Sequence, residues 1–511
     1  MITILQADLL KAHIRLMLLC IFLLFSCSKE SGSLNECNVA SVPLATFGTK
    51  SINTDVSDYL VTKDMVQQYL LGLDGYKDSI VSISSYPSEA NCLLYVACFN
   101  EGWKLFPSDS RFGVVLAESE DGTFDVSQQS ENENFNVWLA NILKQLESAR
   151  DEIDSFGDKS VQFWNSFKSR NKSSLLKEID ESIMPPTRSL NPGEPIWGKA
   201  LISTSTSTTI IGNKDHLLQT KWGQDAPWNM SMPVVGSQLC LTGCAAVAVA
   251  QVLYYYHNWS GTPSGLYHSI MLSQYNSNLL LDENVPGSGY YQKGILTRSN
   301  YFSNSSHWAD MPLTNLGGTD EQYRYVSDLM LDVGVRLGMF YSPWLSFINI
   351  NNSSYFDISS CFLSVNWTQF QSSTDAQTVL TGLDMNEPTI ITSQGDTQVG
   401  HTWVIDGYQK KHYETTKYYA WYPIEAIPDD MLIIEMKNED YLLSIYPNLY
   451  PGMSVVSYSA YDDAFFRMNW GYNGLFDNAL YNTAATAEWL DIYSINKGIH
   501  YHFFPEELLI Q

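Results

Sequence analysis

Gly243-Cys244-Ala245-Ala246-Val247-Ala248-Val249-Ala250-Gln251-Val252-Leu253-Tyr254-Tyr255-Tyr256 is a nearly polarity-free run that a glycine and a thiol open. It is too long for an ordinary strand and lacks a polar face, so it reads as a buried central helix. Its alanines let other parts of the chain approach closely. A helix N-terminus carries roughly half a positive elementary charge and unpaired N–H groups. A thiolate at Cys244 would be stabilised there and would exist near neutral pH. The same N–H groups can help to hold an oxyanion. Gly243 permits a tight entry into the helix and leaves room for an extended ligand backbone. Taken by itself, Cys244 fits a core thiol better, because buried free cysteines are common. Cys240 would precede the helix rather than open it, which makes Cys244 the candidate nucleophile.

Three further pieces give that thiol a context. Downstream, Gly400-His401-Thr402-Trp403-Val404-Ile405-Asp406-Gly407-Tyr408 places His401 at the mouth of an apolar strand, after a polar loop from Ser393. A lone histidine is usually structural, but one there can reach a thiol on a facing helix. Asn469-Trp470-Gly471-Tyr472-Asn473-Gly474 supplies an amide that can fix an imidazole tautomer and an indole that can shield the bond from water. The plain alternative is a glycine-rich turn with an aromatic core residue. Upstream, Trp222-Gly223-Gln224-Asp225-Ala226-Pro227-Trp228-Asn229 contains Gln224, an amide donor that could complete an oxyanion hole; alone it is only a loop.

In this order the four pieces resemble the streptopain-like cysteine peptidases, a papain-like group. The matching residues are Trp222, Gln224, Pro227, Trp228 and Asn229; Gly243, Cys244, Ala246, Ala248, Ala250, Gln251, Tyr256 and His257; His401, Val404, Asp406 and Gly407; and Asn469, Trp470 and Gly471. The resemblance spans roughly residues 215–480. It departs from the family pattern at Ala245, Val247, Val399 and Tyr472, and more broadly over 342–375 and 409–465. The resemblance implies an α+β fold: a papain-like peptidase domain, with the Cys-bearing helix packed on a strand-rich lobe, preceded by a smaller α+β inhibitory pro-domain. It further implies Cys244 as nucleophile, His401 as general base and then acid, Gln224 as oxyanion donor, Asn469 beside the histidine and Trp470 as its screen. His257 reads as structural.

Composition agrees with a folded enzyme. Hydrophobic residues make up 45% of the 511 and charged residues only 16%, enough apolar material for a large core. The net charge of −26 would repel phosphate backbones, so nucleic acid is not an expected partner. With no H-E-x-x-H and no C-x-x-C, neither a metal nor a cofactor is expected. Eight cysteines are too sparse for a disulfide scaffold, although spacing leaves a Cys92–Cys98 bridge open.

The N-terminus reads as an export signal. Lys11 and Arg15 precede an apolar run from Leu16 to Phe25, too short to span a bilayer as a helix. The run ends in Leu24-Phe25-Ser26-Cys27, which resembles a bacterial lipobox with Cys27 as lipid acceptor. An ordinary signal peptide with a chance cysteine, or a short anchor, is the alternative. Residues 1–27 are therefore expected to be a lipoprotein signal and 28–55 a tether. The protein is then exported and lipid-anchored to the bacterial envelope, at the outer membrane or cell surface, with release after processing.

Residues 56–185 are expected to form the pro-domain. Its strands are read over 79–84, 93–100, 103–107 and 113–118. Trp138, Ile142, Leu146 and Ala149 predict an amphipathic helix over about 134–152, and a second helical stretch follows at about 160–180. The prolines of 184–192 and the Ser/Thr run 203–209 read as an exposed connector, so 186–212 is taken as an activation linker with Arg188 and Lys199 as cleavage candidates. The peptidase domain would then span 213–511. Expected partners are protein or peptide substrates, the chain's own pro-domain as intramolecular inhibitor, and the membrane through the lipid. Two other readings fit the same residues: a papain-fold amidase or transferase acting on non-protein amides, and a degenerate peptidase scaffold used for surface binding.

Overall fold

The computed structural model describes residues 59–73, 79–124, 130, 132–151, 158–168, 170–171, 196–258, 275–280, 289–294, 304–348, 367–373, 376–394, 400–429, 431–483 and 499–505. Cys27 and Arg188 lie outside them. In chain order the elements are α1 (Lys63–Gly72), β1 (Ile80–Tyr86), β2 (Leu94–Phe99), β3 (Trp103–Pro107), β4 (Ala117–Ser119), α2 (Glu133–Ser148) and α3 (Asp158–Asn165). Next come β5 (Arg170–Asn171), β6 (Ile196–Lys214), β7 (Val234–Val235), β8 (Gln238–Leu239), α4 (Cys244–Asn258), β9 (Tyr275–Leu280), β10 (Gly289–Gly294), α5 (Ser305–Ala309), α6 (Asp320–Arg336) and β11 (Phe340–Tyr341). The remainder are β12 (Trp367–Ser373), α7 (Ala376–Asp384), β13 (Thr389–Gln394), β14 (Gly400–Pro423), β15 (Leu432–Asn438), α8 (Glu439–Ile445), β16 (Met453–Asn469), β17 (Leu480–Asn482) and β18 (Ile499–Pro505). The fold is α+β, as expected. Among the described residues no helix is long and apolar enough to cross a membrane.

The expected central helix is α4, and its apolar sequence has a physical cause. Ten of its side chains are buried, from Ala245 through Tyr256, between α6 and β14. Helix α6 starts at a capping box in which Thr319 and Gln322 exchange side-chain-to-backbone bonds, which satisfies two of the otherwise unpaired N–H groups.

The main sheet runs β1-β2-β3-β4-β17-β16-β14-β13-β18-β12, so the four strands of the N-terminal block continue the sheet of the C-terminal half. The join is β4 against β17, with Ala117 opposite Tyr481 and Glu118 opposite Leu480. Asn482 extends it by donating from its backbone to Leu116 O at 2.8 Å and from its side chain to Val115 O at 3.0 Å. The N-terminal block therefore shares a sheet with the C-terminal half rather than standing apart from it. An uncovered strand edge leaves backbone groups unpaired, and β4 covers that of β17.

The two parts also share a core. The residues predicted for the amphipathic helix, Trp138, Ile142, Leu146 and Ala149, are all buried. They lie with Trp403, Ile405, Phe466, Met468 and Trp470 in one cluster. At the seam Glu118 sits between Lys104 and Lys411. Burial alone would raise its carboxyl, but the two ammonium groups outweigh that and hold it at about 2.

The segment read as a connector is different in the structure. Residues 196–214 form a single strand paired with β14 along its length and with β15 at its start. The Ser/Thr run has the composition of a loop but forms part of this strand. Thr206 is buried, 3.4 Å from the hydroxyl of Thr415, while its neighbours Ser205 and Ser207 are exposed. That alternation, with β-branched threonines, belongs to a half-covered strand. Lys199 pairs with Trp421 on one side and Glu435 on the other, so it is not the accessible linker residue expected of a cleavage site. The inner face of this three-stranded ribbon (β6, β14, β16) meets the end of α3. There Lys417 donates to Ser166 O and lies 3.8 Å from the Phe167 ring centroid. Burial pushes that lysine down to about 7.

Cys92 and Cys98 are not bridged to each other; their thiols donate to Leu94 O at 3.2 Å and to Phe124 O at 3.7 Å.

Candidate active site

Cys244 is the first residue of α4, as the sequence implied, and is half-buried. The preceding peptide is held from both sides. Leu241 N donates to Ser342 O at 3.0 Å, and Thr242 N donates to Gln224 O at 3.0 Å. The Thr242 hydroxyl adds a second contact to the same carbonyl at 3.3 Å. The Gln224 loop is thereby fastened to the peptide just ahead of Cys244. Cys240 is fully buried, and burial pushes its thiol up to about 12, so it stays protonated and inert.

Gly243 has φ +85°, and a Cβ there would lie 2.9 Å from Met339 Cε and Sδ and 3.1 Å from the Ser346 carbonyl. The turn into the helix thus requires glycine for two independent reasons. Gly243→Ala is expected to destabilise the fold by at least about 1–2 kcal/mol from the left-handed backbone alone. Urea unfolding would measure this, with loss of thiol-dependent activity at temperatures where the variant remains folded.

His401 is the second residue of β14, opposite Ser393. Its Nδ1 lies 3.0 Å from Asn134 Oδ1. The amide of Asn134 is oriented by two carbonyls, since its Nδ2 donates to Trp470 O at 2.7 Å and to Thr402 O at 3.2 Å. Its oxygen must then face the imidazole, so Nδ1–H is the donor and Nε2 carries the lone pair. Burial pushes His401 down to about 4, which keeps the ring neutral at neutral pH. Asn134 stands in the first turn of α2. That turn is capped by Asn132, whose Oδ1 accepts from Phe135 N at 2.9 Å and whose Nδ2 donates to Leu475 O at 2.8 Å. A helix from the N-terminal block therefore ends on the histidine and on the loop that follows Trp470.

Asn469 was expected to orient the histidine, and here it does not. Its Oδ1 accepts from Gln251 Nε2 at 2.9 Å and from Gly471 N at 3.2 Å, and its Nδ2 donates to Thr220 O at 2.7 Å. Both lone pairs of the oxygen are taken, so the partner of His401 in this form is Asn134. Trp470 is fully buried, with its ring 5.2 Å from Trp403 and edge-on to Phe135. Its backbone N–H donates to Asp477 Oδ1 at 3.0 Å, and burial raises that carboxyl to about 7.

Asp406 appeared in the sequence only as a motif letter. It is buried and accepts from His216 Nδ1 at 2.8 Å and from Leu218 N at 3.0 Å, tying residues 216–218 to the histidine strand. Neither Asn134 nor His216 stands out in the sequence, because each acts through a contact between distant segments. Among the described residues no group of three or more His, Cys, Asp or Glu is placed to hold a metal.

The model of the Peptidase C10 family matches residues 222–421, a stretch that contains Gln224, Cys244 and His401. These residues are a Peptidase C10 domain. The chain is thereby a cysteine-type peptidase. Among solved structures, a point-mutant fragment of prointerpain A from Prevotella intermedia is 16% identical and covers 82% of this chain and 97% of its own, with a TM-score of 0.44. The active wild-type interpain A cysteine protease of the same organism is 19% identical and covers 57% of this chain and 95% of its own, with a TM-score of 0.31. No curated relative matches the sequence. Asn469 and Trp470 lie beyond the matched stretch of the C10 domain, and Asn134 lies before it.

Proposed function

We propose that the chain is an exported, lipid-anchored cysteine endopeptidase made as a zymogen, hydrolysing peptide bonds through Cys244 and His401. One observation carries the zymogen reading. Asn134, from outside the C10 domain, accepts the Nδ1 proton of the histidine at 3.0 Å, where burial keeps the ring neutral. A neutral, buried imidazole makes no ion pair with a thiolate. Withdrawal of α2 is then the step that arms the site.

In the armed form the Cys244 thiolate attacks the peptide carbonyl. The Gln224 side chain and the Cys244 backbone N–H take the oxyanion. His401 protonates the leaving amine, then removes a proton from the water that frees the acyl-enzyme. Trp470 keeps bulk water from the histidine loop. Substrates are proteins or peptides, and no metal or cofactor takes part in these steps.

The test uses the chain without residues 1–27, incubated with casein under mild reductant, alone and after limited trypsin. Casein cleavage that appears as the chain shortens supports the reading. No casein cleavage after the N-terminal block has been degraded refutes it, and release of peptides from a peptidoglycan sacculus in the same experiment would point to an amidase instead. The anchor has its own test. Cys27→Ala is expected to move the protein from the membrane fraction to the soluble one and to abolish labelling by a radioactive fatty acid; a variant that stays membrane-bound and labelled rules the lipobox out.

A further inference from the structure

Gln251 is a polar side chain in the middle of the apolar helix α4, seven residues after Cys244 and so on nearly the same helix face. It is completely buried, and every polar atom of its amide is used. Its Oε1 accepts from the Thr220 hydroxyl at 2.9 Å and from Trp222 N at 3.4 Å. Its Nε2 donates to Asn469 Oδ1 at 2.9 Å, and Asn469 returns to Thr220 O at 2.7 Å. The result is a closed ring joining the helix that carries the nucleophile, the segment 220–222 and the loop 469–471. Burying such a group is unfavourable unless every bond is made, and a leucine would fill the position without that requirement.

What the ring does follows from where its chain segments lead. Segment 220–222 runs directly into Gln224, whose carbonyl is held by Thr242 two residues before the nucleophile. Leu313, Pro312 and Asn473 hold the outer side of the same segment through Lys221 N, the Trp222 indole and Trp222 O. Gln251 is the side chain that ties the inner side to the Cys244 helix itself. An oxyanion donor acts only when it lies within a few tenths of an ångström of where the charge develops. A strut between the nucleophile helix and the donor loop sets that distance.

We infer that Gln251 is a positioning residue that acts through Gln224, holding the oxyanion loop in register with Cys244. The inference rests on the proposed roles of Cys244 and Gln224. Gln251→Met keeps the volume and removes the ring. In the activated full chain it is expected to lower kcat by about 10- to 100-fold with little change in KM. Affinity for a peptide aldehyde, whose adduct places an oxyanion in the hole, is expected to fall in parallel. Alkylation by iodoacetamide forms the C–S bond as iodide leaves and develops no charge on a carbonyl oxygen, and it is expected to stay within about threefold. In the Gln224→Ala background, Gln251→Met is expected to cost no more than about twofold further, because one effect passes through the other.

Equal losses in alkylation and hydrolysis, or multiplicative effects in the double variant, overturn the inference. If Gln251→Met does not fold, Thr220→Val removes one bond of the ring and must give the same pattern at smaller size; failure to do so overturns it equally. A native chain that shows no thiol-dependent hydrolysis at all would instead refute the underlying peptidase reading, so the two failures are distinguishable.

Discussion

Cys244→Ala is expected to abolish hydrolysis, by roughly 10⁴-fold or more in kcat, while leaving the unfolding curve within error of the native chain. The two halves of that expectation have separate causes. Activity is expected to depend on the sulfur because a thiolate at the head of α4 is the nucleophile that the proposed acyl-enzyme requires. Stability does not, because the side chain is half-buried and small and stands at the first position of the helix, where alanine removes one sulfur atom and adds no clash. If processing is by the chain itself, the variant also remains full length where the native chain shortens. Hydrolysis that survives the substitution would remove Cys244 from the mechanism, and with it the reading of His401 as a base. Alkylation mass spectrometry at pH 6 gives an independent check. Cys240, held protonated by burial, should remain unmodified in the folded chain.

Asn134→Ala is expected to raise the reactivity of Cys244 in the uncleaved chain at least about tenfold at pH 6, which is the effect of roughly one pKa unit or 1.4 kcal/mol. The direction follows from His401. Burial against α2 depresses its folded pKa to about 4, below the ordinary value of 6.5. The neutral ring therefore contributes to the closed form above about pH 6.5, and that contribution is lost as pH falls toward 4. Loss of the Asn134 acceptor, together with its bonds to Thr402 and Trp470, lets water reach the imidazole, which then protonates near neutrality and pairs with a thiolate. The ratio of iodoacetamide labelling, variant over native, is expected to be largest between about pH 5 and 7. It should shrink toward one above about pH 9, where thiols ionise without help. A ratio of one throughout the range would mean that Asn134 does not restrain the site. Loss of cooperative unfolding would mean that its effect is structural.

Much of the site could be read before any coordinates. The apolar run after Gly243 forces a buried helix, and its first residue is the thiol. The positive φ of Gly243 gives the physical reason for the glycine in front of it. The apolar strand read after His401 forms the start of β14, although β14 runs on to Pro423, and helix α2 carries Trp138, Ile142 and Leu146 inward at the predicted spacing. Local chemistry suffices in these cases because each feature depends on residues within one or two turns of one another.

What failed depends on partners far away in the chain. The Ser/Thr segment 203–209 has the composition of a loop, and only pairing with β14 makes it a strand. The family resemblance implies Asn469 beside the histidine, yet its oxygen accepts from Gln251 and Gly471 and its nitrogen donates to Thr220. Asn134 had no sequence signal at all. An asparagine in the first turn of a helix is ordinary, and its effect on His401 arises from a contact across 267 residues. The helix, the thiol that opens it and the candidate base were legible in the sequence, because periodicity, capping and backbone conformation are local properties of a chain. The tertiary structure alone decided which amide faces the histidine and whether the N-terminal block stands apart or completes the sheet, because a hydrogen bond between distant segments has no local energy from which it can be read.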